Sequence, residues 1–349
     1  MNVFLTVLTG LLLLFTLLSL VRNDYWVFRV NDYPRLQKFT LSVICLILLL
    51  NLYNGNDTLF WILTVSIALN IIYLGCQILP FTTLGNKQVY RANTVKPNQS
   101  VSIMISNVYQ YNTNIKGCLS EIYKTNPDIV FLLETNNTWK KGTEELKEKY
   151  PHHVLVPQEN TYGMLLYSKL KLTNTAVKFI VEDDVPSIHT CFTLKNGQEV
   201  QLYGVHPTPP SPTENIRATE RDKELLLLAD IVAEQSNPVI VIGDLNDVAW
   251  SHTTKLFLKM SGLLDPRRGR GFFNSFHAKY PFLRFPLDHA FISPNFRLNT
   301  IKRLNNYGSD HFPIFIDVQY EPEGSSNEHE VLQPDSDDVA EAKEKKNKT

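Results

Sequence analysis

Cysteine is scarce in this chain. Its four cysteines stand singly, Cys45 and Cys76 in apolar runs and Cys118 and Cys191 in amphipathic segments, with no Cys-x-x-Cys or Cys/His spacing. That argues against a disulfide framework and against structural zinc. Charge of one sign is missing as well, since the formal net charge is −1. From Asn86 to Tyr320 there are 26 Lys and Arg against 23 Asp and Glu, a balance of +3. So weak a field neither demands nor excludes a nucleic-acid partner. No internal repeat appears.

The first eighty residues lack charge almost entirely. Val3 to Val21 is an uncharged apolar run, long enough as a helix to cross roughly 30 Å of hydrocarbon. Phe39 to Tyr53 and Thr58 to Phe81 supply two more such runs, the middle one short unless it borrows flanking residues. Residues 1–85 are therefore expected to be a membrane region of three transmembrane helices in contact with the lipid bilayer. A cleaved signal peptide is the alternative for the first run, but the charged n-region and small-x-small cleavage site are absent. A buried hairpin of a soluble domain would need an unusually large core. Arg22, Arg29, Arg35 and Lys38 in the first loop, with Lys87, Arg91 and Lys96 after the third run, put the N-terminus outside and the following domain in the cytoplasm by the positive-inside rule.

After Pro80 the pattern turns to alternating strands and helices, and residues 86–320 read as one α/β domain. Pro238-Val-Ile-Val-Ile-Gly-Asp-Leu-Asn-Asp247 is its centre, a buried strand that Gly243 ends before Asp244 and Asn246. If extended backbone persists through Leu245, these two side chains point to the same side. Other apolar strands also meet a polar group at an end: Asn107, Glu134, His206, and Asp310 with His311 just before the last strand, while Asp288 begins its own. Each alone could be a turn residue or a surface carboxylate. Together they share one chemistry, oxygen and imidazole groups suited to a divalent cation and a phosphate. Thr213 to Gln235 reads as a long helix with Thr213 as N-cap, and Leu263 to Arg284 as a loop carrying Arg267, Arg268 and Arg270. Arg268, Arg270 and Arg284 are candidates to meet a phosphorylated substrate, although such a run can equally be a solvated loop. Tyr109, Tyr111 and Trp250 could stack on a base or sugar or pack on the sheet, and His289 should face away from Asp288. From Glu321 to Thr349 little can be buried, and a disordered polar tail is expected.

Ser106-Asn107-Val108, Phe131-Leu-Leu-Glu134, Gly204-Val-His206, Gly243-Asp-Leu-Asn246, Leu287-Asp288-His289 and Ser309-Asp-His311 occur in the order and at spacings compatible with the endonuclease/exonuclease/phosphatase (DNase I-like) superfamily, which this chain resembles. Asp32-Tyr-Pro-Arg-Leu-Gln37, Ile78-Leu-Pro80 and His206-Pro-Thr-Pro-Pro210 look like a membrane-anchored bacterial branch, which implies a multi-pass protein of the plasma membrane. The family is compatible with an outward-facing domain, in conflict with the charge count. The resemblance implies a four-layer α/β/β/α sandwich with the site at one rim and Mg²⁺ or Mn²⁺ as cofactor. Asn107, Glu134 and Asp310 would hold the metal, Asp244 and Asn246 would orient water and the phosphoryl group, His311 oriented by Asp288 would be the general base, and His206 would donate to phosphate. Leu133 departs from the Gln frequent before the metal-binding Glu, and no abasic-site pocket is recognisable. The expected activity is hydrolysis of a phosphodiester or phosphomonoester in nucleic acid or in a phosphorylated lipid or sugar, with no obligate protein partner. A catalytically inactive domain reused as a membrane-tethered binding module is the alternative, and the full set of polar strand ends argues against it.

Overall fold

The structure, a computed structural model, describes residues 1–322 and 327–348. The apolar runs form α1 (Asn2–Leu20), α3 (Arg35–Leu52) and α4 (Thr58–Ile78), with the short α2 (Trp26–Arg29) between the first two. Three helices are long and apolar enough to span a membrane, with mean hydropathies of 2.5, 1.6 and 2.0. The middle one reaches its 18 residues by beginning at Arg35 rather than at Phe39. Leu5, Leu12, Cys45, Leu49, Leu63 and Ile67 hold the bundle together. Several of its inner polar groups are paired: the Thr9 hydroxyl donates to the Leu5 carbonyl at 2.8 Å, and Asn70 Nδ2 donates to Ser42 Oγ at 3.0 Å. Unpaired, each would cost several kcal/mol in hydrocarbon. Leu14, Leu41, Ile47 and Leu69 point outward, as a lipid-facing surface requires. Asn2 pairs with Asn54, so the N-terminus and the α3–α4 turn share one end of the bundle. The α1–α3 loop and the residues after α4 share the other, where the globular domain sits.

That domain contains β1 (Ser100–Asn107), α5 (Ile115–Thr125), β2 (Ile129–Leu133), α6 (Asn137–Gly142), α7 (Leu146–Lys149), β3 (His152–Val156), β4 (Met164–Ser168), β5 (Leu172–Lys178), β6 (Ser187–Thr193) and β7 (Glu199–Val205). It continues through α8 (Thr219–Ala233), β8 (Val239–Asp244), α9 (His252–Ser261), β9 (Asp288–Ile292), β10 (Phe296–Arg303) and β11 (Ile314–Tyr320). A six-stranded sheet, β10-β11-β1-β2-β4-β3, packs on a five-stranded one, β5-β6-β7-β8-β9. Period-two alternation sorts the side chains. Val101, Ile103 and Ile105 of β1 meet Leu202, Ile240 and Ile242 between the sheets. Met104, Val130 and Leu132 face outward onto Leu119, Ile122 and Trp139, and Tyr203, Val241 and Phe291 face Leu225, Leu228 and Phe257. The result is the expected α/β/β/α sandwich. Each fully buried Leu, Ile or Phe contributes about 1.5–3 kcal/mol. Within the two sheets, β1–β2 and β7–β8 pair in parallel, so the two strands of each pair end at the same edge of their sheet.

Two expectations are corrected. The long helix begins at Thr219, not Thr213, and its N-cap is Ala218. The preceding residues are held extended, with Trp26 N–H donating to Ile216 O and Ala218 N–H to Asp24 O. The C-terminal segment is not wholly disordered, because α10 (Ser336–Asn347) opens with a capping box of Asp335 and Asp338 and lies on α8 and α9. Residues 323–326 and 349, also in that expected tail, lie outside the described residues. Lys345 is buried, its Nζ 2.6 Å from Asp222 Oδ2 and 3.2 Å from Asp24 Oδ1. Paired charges docked this helix where a scarcity of apolar residues suggested none could.

Candidate active site

The strand order delivers the polar strand ends to one rim. Asn107 closes β1, Glu134 follows β2, His206 follows β7, Asp244 closes β8, and Asp288 opens β9 directly opposite Asp244. Asn107 Nδ2 reaches across from one sheet to the other, donating to Glu134 Oε1 at 2.7 Å and to Asp244 Oδ2 at 3.1 Å. Its own Oδ1 accepts from Tyr109 N–H at 3.0 Å. In this arrangement Asn107 turns its amide nitrogen to the site and ties the two carboxylates together.

Backbone conformation aims these groups. Glu134 has φ +55° and Asn246 φ +49°, left-handed conformations that cost a non-glycine residue about 1–2 kcal/mol. The turn at Asn246 corrects the expectation of extended backbone there. Instead, Asn246 N–H donates to Asp244 Oδ1 at 2.9 Å and its Nδ2 donates to Pro207 O at 3.0 Å, which keeps both side chains on the cleft. Gly243, at φ +153°, is required by crowding, because a Cβ there would lie 1.8 Å from the Val205 carbonyl oxygen.

His311 and Asp288 form a buried pair, Nδ1 to Oδ2 at 2.7 Å, with His311 Nε2 3.6 Å from Asp244 Oδ2. Burial alone would lower the imidazole, but Asp288 and then Asp244 outweigh it and push it up to about 10. Burial raises the Asp288 carboxyl against the opposing pull of His311. Ser309 Oγ accepts from His311 N–H at 2.9 Å and donates to Asn107 O at 2.8 Å, locking the last motif onto the first. Burial pushes Glu134 up to about 7 despite the Asn107 hydrogen bond. His206 is lowered, chiefly by burial, and its Nδ1 has no hydrogen-bond partner among the described residues.

Glu134, His206, Asp244, Asn246, Asp310 and His311 line one cleft of about 550 Å³. Its carboxylates outnumber its cations, and Glu134 is half-buried among them. That donor set fits a hard divalent ion. Asp244, Asp288 and His311 also bring ligand atoms within 4.8 Å of one another. Of these, Asp288 and His311 already satisfy each other, Nδ1 to Oδ2.

Other expected residues lie elsewhere. Arg268, Arg270 and Arg284 do not line the cleft. Arg268 lies over the Phe81 ring at 5.8 Å, Arg270 donates to Val89 O and Pro266 O, and Arg284 donates to Ala278 O. Arg267 pairs with Asp265 and meets His289 Nδ1, so His289 is a packed core residue as expected. Trp250 packs against Phe81 and Phe272 and donates Nε1–H to Asp32 O at 2.8 Å, a joint with the N-terminal helical segment rather than a stacking platform. Tyr109 and Tyr111 lie edge to face, 5.6 Å apart, with Tyr111 exposed. Sequence reasoning missed Tyr162, which packs on His206, and Arg221 and Tyr33, which both donate to Asn246 O at 2.8 and 2.7 Å. Only Tyr33 had a signal, its place beside Pro34 in the first loop.

Comparison with known proteins agrees with this geometry. The model of the Endonuclease/Exonuclease/phosphatase family matches residues 105–311. Among solved structures, D. rerio TDP2 complexed with a single-strand DNA product is 18% identical, with a TM-score of 0.53 over 63% of this chain and 99% of that one. The human Nocturnin catalytic domain with a bound sulfate anion is also 18% identical, with a TM-score of 0.52 over 65% and 96%. A family protein from Bacteroides thetaiotaomicron gives 16% identity and 0.51 over 65% and 97%. These likenesses are of fold. A search of curated proteins gives no match.

Proposed function

This chain belongs to the Endonuclease/Exonuclease/phosphatase family, and on that premise we propose that it is a membrane-anchored, divalent-metal-dependent phosphoesterase of the bacterial plasma membrane. Residues 1–85 are the anchor and 86–320 the catalytic domain. The observation that carries the reading is the junction at Asn107, where carboxylates from both sheets meet beside the Asp288–His311 pair.

Glu134 and Asp310 would hold Mg²⁺ or Mn²⁺, with Asn107 fixing the Glu134 carboxylate. When bound, the ion supplies charge neutralisation on the non-bridging phosphoryl oxygens and a more acidic water. Asp244 and the Asn246 amide orient water and phosphoryl group. Against burial, Asp288 and Asp244 raise the His311 imidazole and so strengthen it as a base. Asp288 then fixes its tautomer, leaving Nε2 to take the proton. Water oxygen forms the new P–O bond, the ester P–O bond breaks, His311 takes the water proton, and the leaving oxygen is protonated by solvent. His206, kept neutral by burial, donates to a phosphoryl oxygen.

The test is hydrolysis of bis(p-nitrophenyl) phosphate by the purified full chain with Mg²⁺ or Mn²⁺. Chelation, Glu134→Ala and His311→Ala should each abolish it. A wild-type protein inactive on this ester and on nucleic acids, phospholipids and phosphosugars would sink the proposal.

A further inference from the structure

The cleft has a second wall that comes partly from outside the family-matched residues. Val30, Tyr33 and Pro34, in the loop between α1 and α3, line the same space as Glu134 and Asp310. Tyr33 is fixed there, its hydroxyl donating to Asn246 O at 2.7 Å and its ring meeting Phe285 edge-on at 5.6 Å. Leu283 and Phe285 continue the apolar side. Gln37, in the first turn of α3, donates Nε2–H to Phe282 O at 2.9 Å, which brings this segment to the level where a membrane helix begins. Phe282 is 86% exposed and Leu283 53%. An aromatic ring left bare beside a transmembrane helix is stable in the interfacial layer of a bilayer, where apolar surface is shed from water.

The cleft is thus polar at its floor, at Glu134, Asp310 and His311, and apolar on the side of Val30, Pro34, Leu283 and Phe285. None of the arginines expected to track a polyanion borders it. We propose that the substrate is a phosphate ester of a membrane lipid, its phosphate at Glu134, Asp310 and His311 and its hydrocarbon chain along Val30, Pro34 and Leu283. This inference rests on the phosphoesterase reading and adds the substrate class to it.

The test uses the full chain in lipid nanodiscs, with bis(p-nitrophenyl) phosphate as reporter and n-alkyl phosphates from methyl to octyl as inhibitors. Burial of each methylene should tighten inhibition about two- to fourfold, so octyl phosphate should inhibit at least about 100-fold better than methyl phosphate. Leu283→Asp and Val30→Asp should each cut that octyl-to-methyl ratio by roughly tenfold, a comparison made within each variant. A wild-type ratio near one, or a ratio unchanged in both variants, overturns the lipid assignment and leaves the phosphoesterase reading standing. A flat ratio with cleavage of a single-stranded oligonucleotide overturns it in favour of nucleic acid. Absence of reporter hydrolysis overturns the phosphoesterase reading and this inference with it.

Discussion

Replacing Glu134 by Gln should stabilise the protein while destroying its activity. Burial first, and the neighbouring acids after it, raise the Glu134 carboxyl from 4.5 to about 7 despite the hydrogen bond from Asn107. A shift of that size corresponds to at most about 3 kcal/mol of destabilisation at neutral pH and above. Gln retains an oxygen for Asn107 Nδ2 but turns an NH₂ towards Gln110 N–H, losing a 3.3 Å hydrogen bond. That loss is worth about 1 kcal/mol, so about 2 kcal/mol remains in the variant's favour. The folded pKa stands above the unfolded value, so folding takes up a proton between about pH 4.5 and 7. Wild-type stability therefore falls as pH rises through that window, whereas the variant has no such slope at this position. Thermal unfolding in detergent with chelator should show Glu134→Gln melting roughly 5 °C higher at about pH 8, the advantage vanishing below about pH 4.5. Saturating Mg²⁺ should raise only the wild type, by about 2.7 kcal/mol at a hundredfold excess over Kd, and so reverse the order. A variant less stable than wild type at alkaline pH without metal would refute the reasoning.

Further outcomes follow from other contacts. Asp288→Asn removes the largest influence raising His311; the imidazole should titrate lower by NMR and kcat should fall about 100-fold. Gly243→Ala drives a methyl group to 1.8 Å from Val205 O, and should lower denaturation midpoints by upwards of about 3 kcal/mol with loss of soluble expression. Lys345→Ala leaves Asp24 and Asp222 short of a buried partner, at a cost of about 3 kcal/mol, read as an earlier melt and faster proteolysis of the C-terminal segment. From the charge count, the domain should resist protease added to intact cells and be cut once they are opened.

The site was legible because acids, amides and imidazoles interrupted apolar runs at strand ends. Glu134 after Phe131-Leu-Leu and Asp244 after Val-Ile-Gly are each improbable as packing residues, and a parallel sheet edge gathers such ends. What failed was direction. Arg268 and Arg270 form a basic run in the sequence, but nothing local says that one lies on Phe81 and the other turns back to carbonyls. Arg221 and Lys345 look like solvated charges, and only tertiary contacts with Asp222 reveal them as buried. The left-handed turn at Asn246, though not the residue itself, escaped for a related reason, since its carbonyl takes donors from Tyr33 and Arg221, both distant in sequence. The three apolar helices were readable from length alone.

The clamp made by Lys345 between Asp24, just after α1, and Asp222, on the globular domain, has a mechanical consequence. A body bolted down at this point does not sweep a hemisphere as it would on a slack tether; its rim stays at one height and one tilt. If the proposed anchoring and lipid substrate hold, encounter with a molecule dissolved in the same leaflet becomes a planar search, governed by surface density and lateral diffusion rather than by bulk concentration.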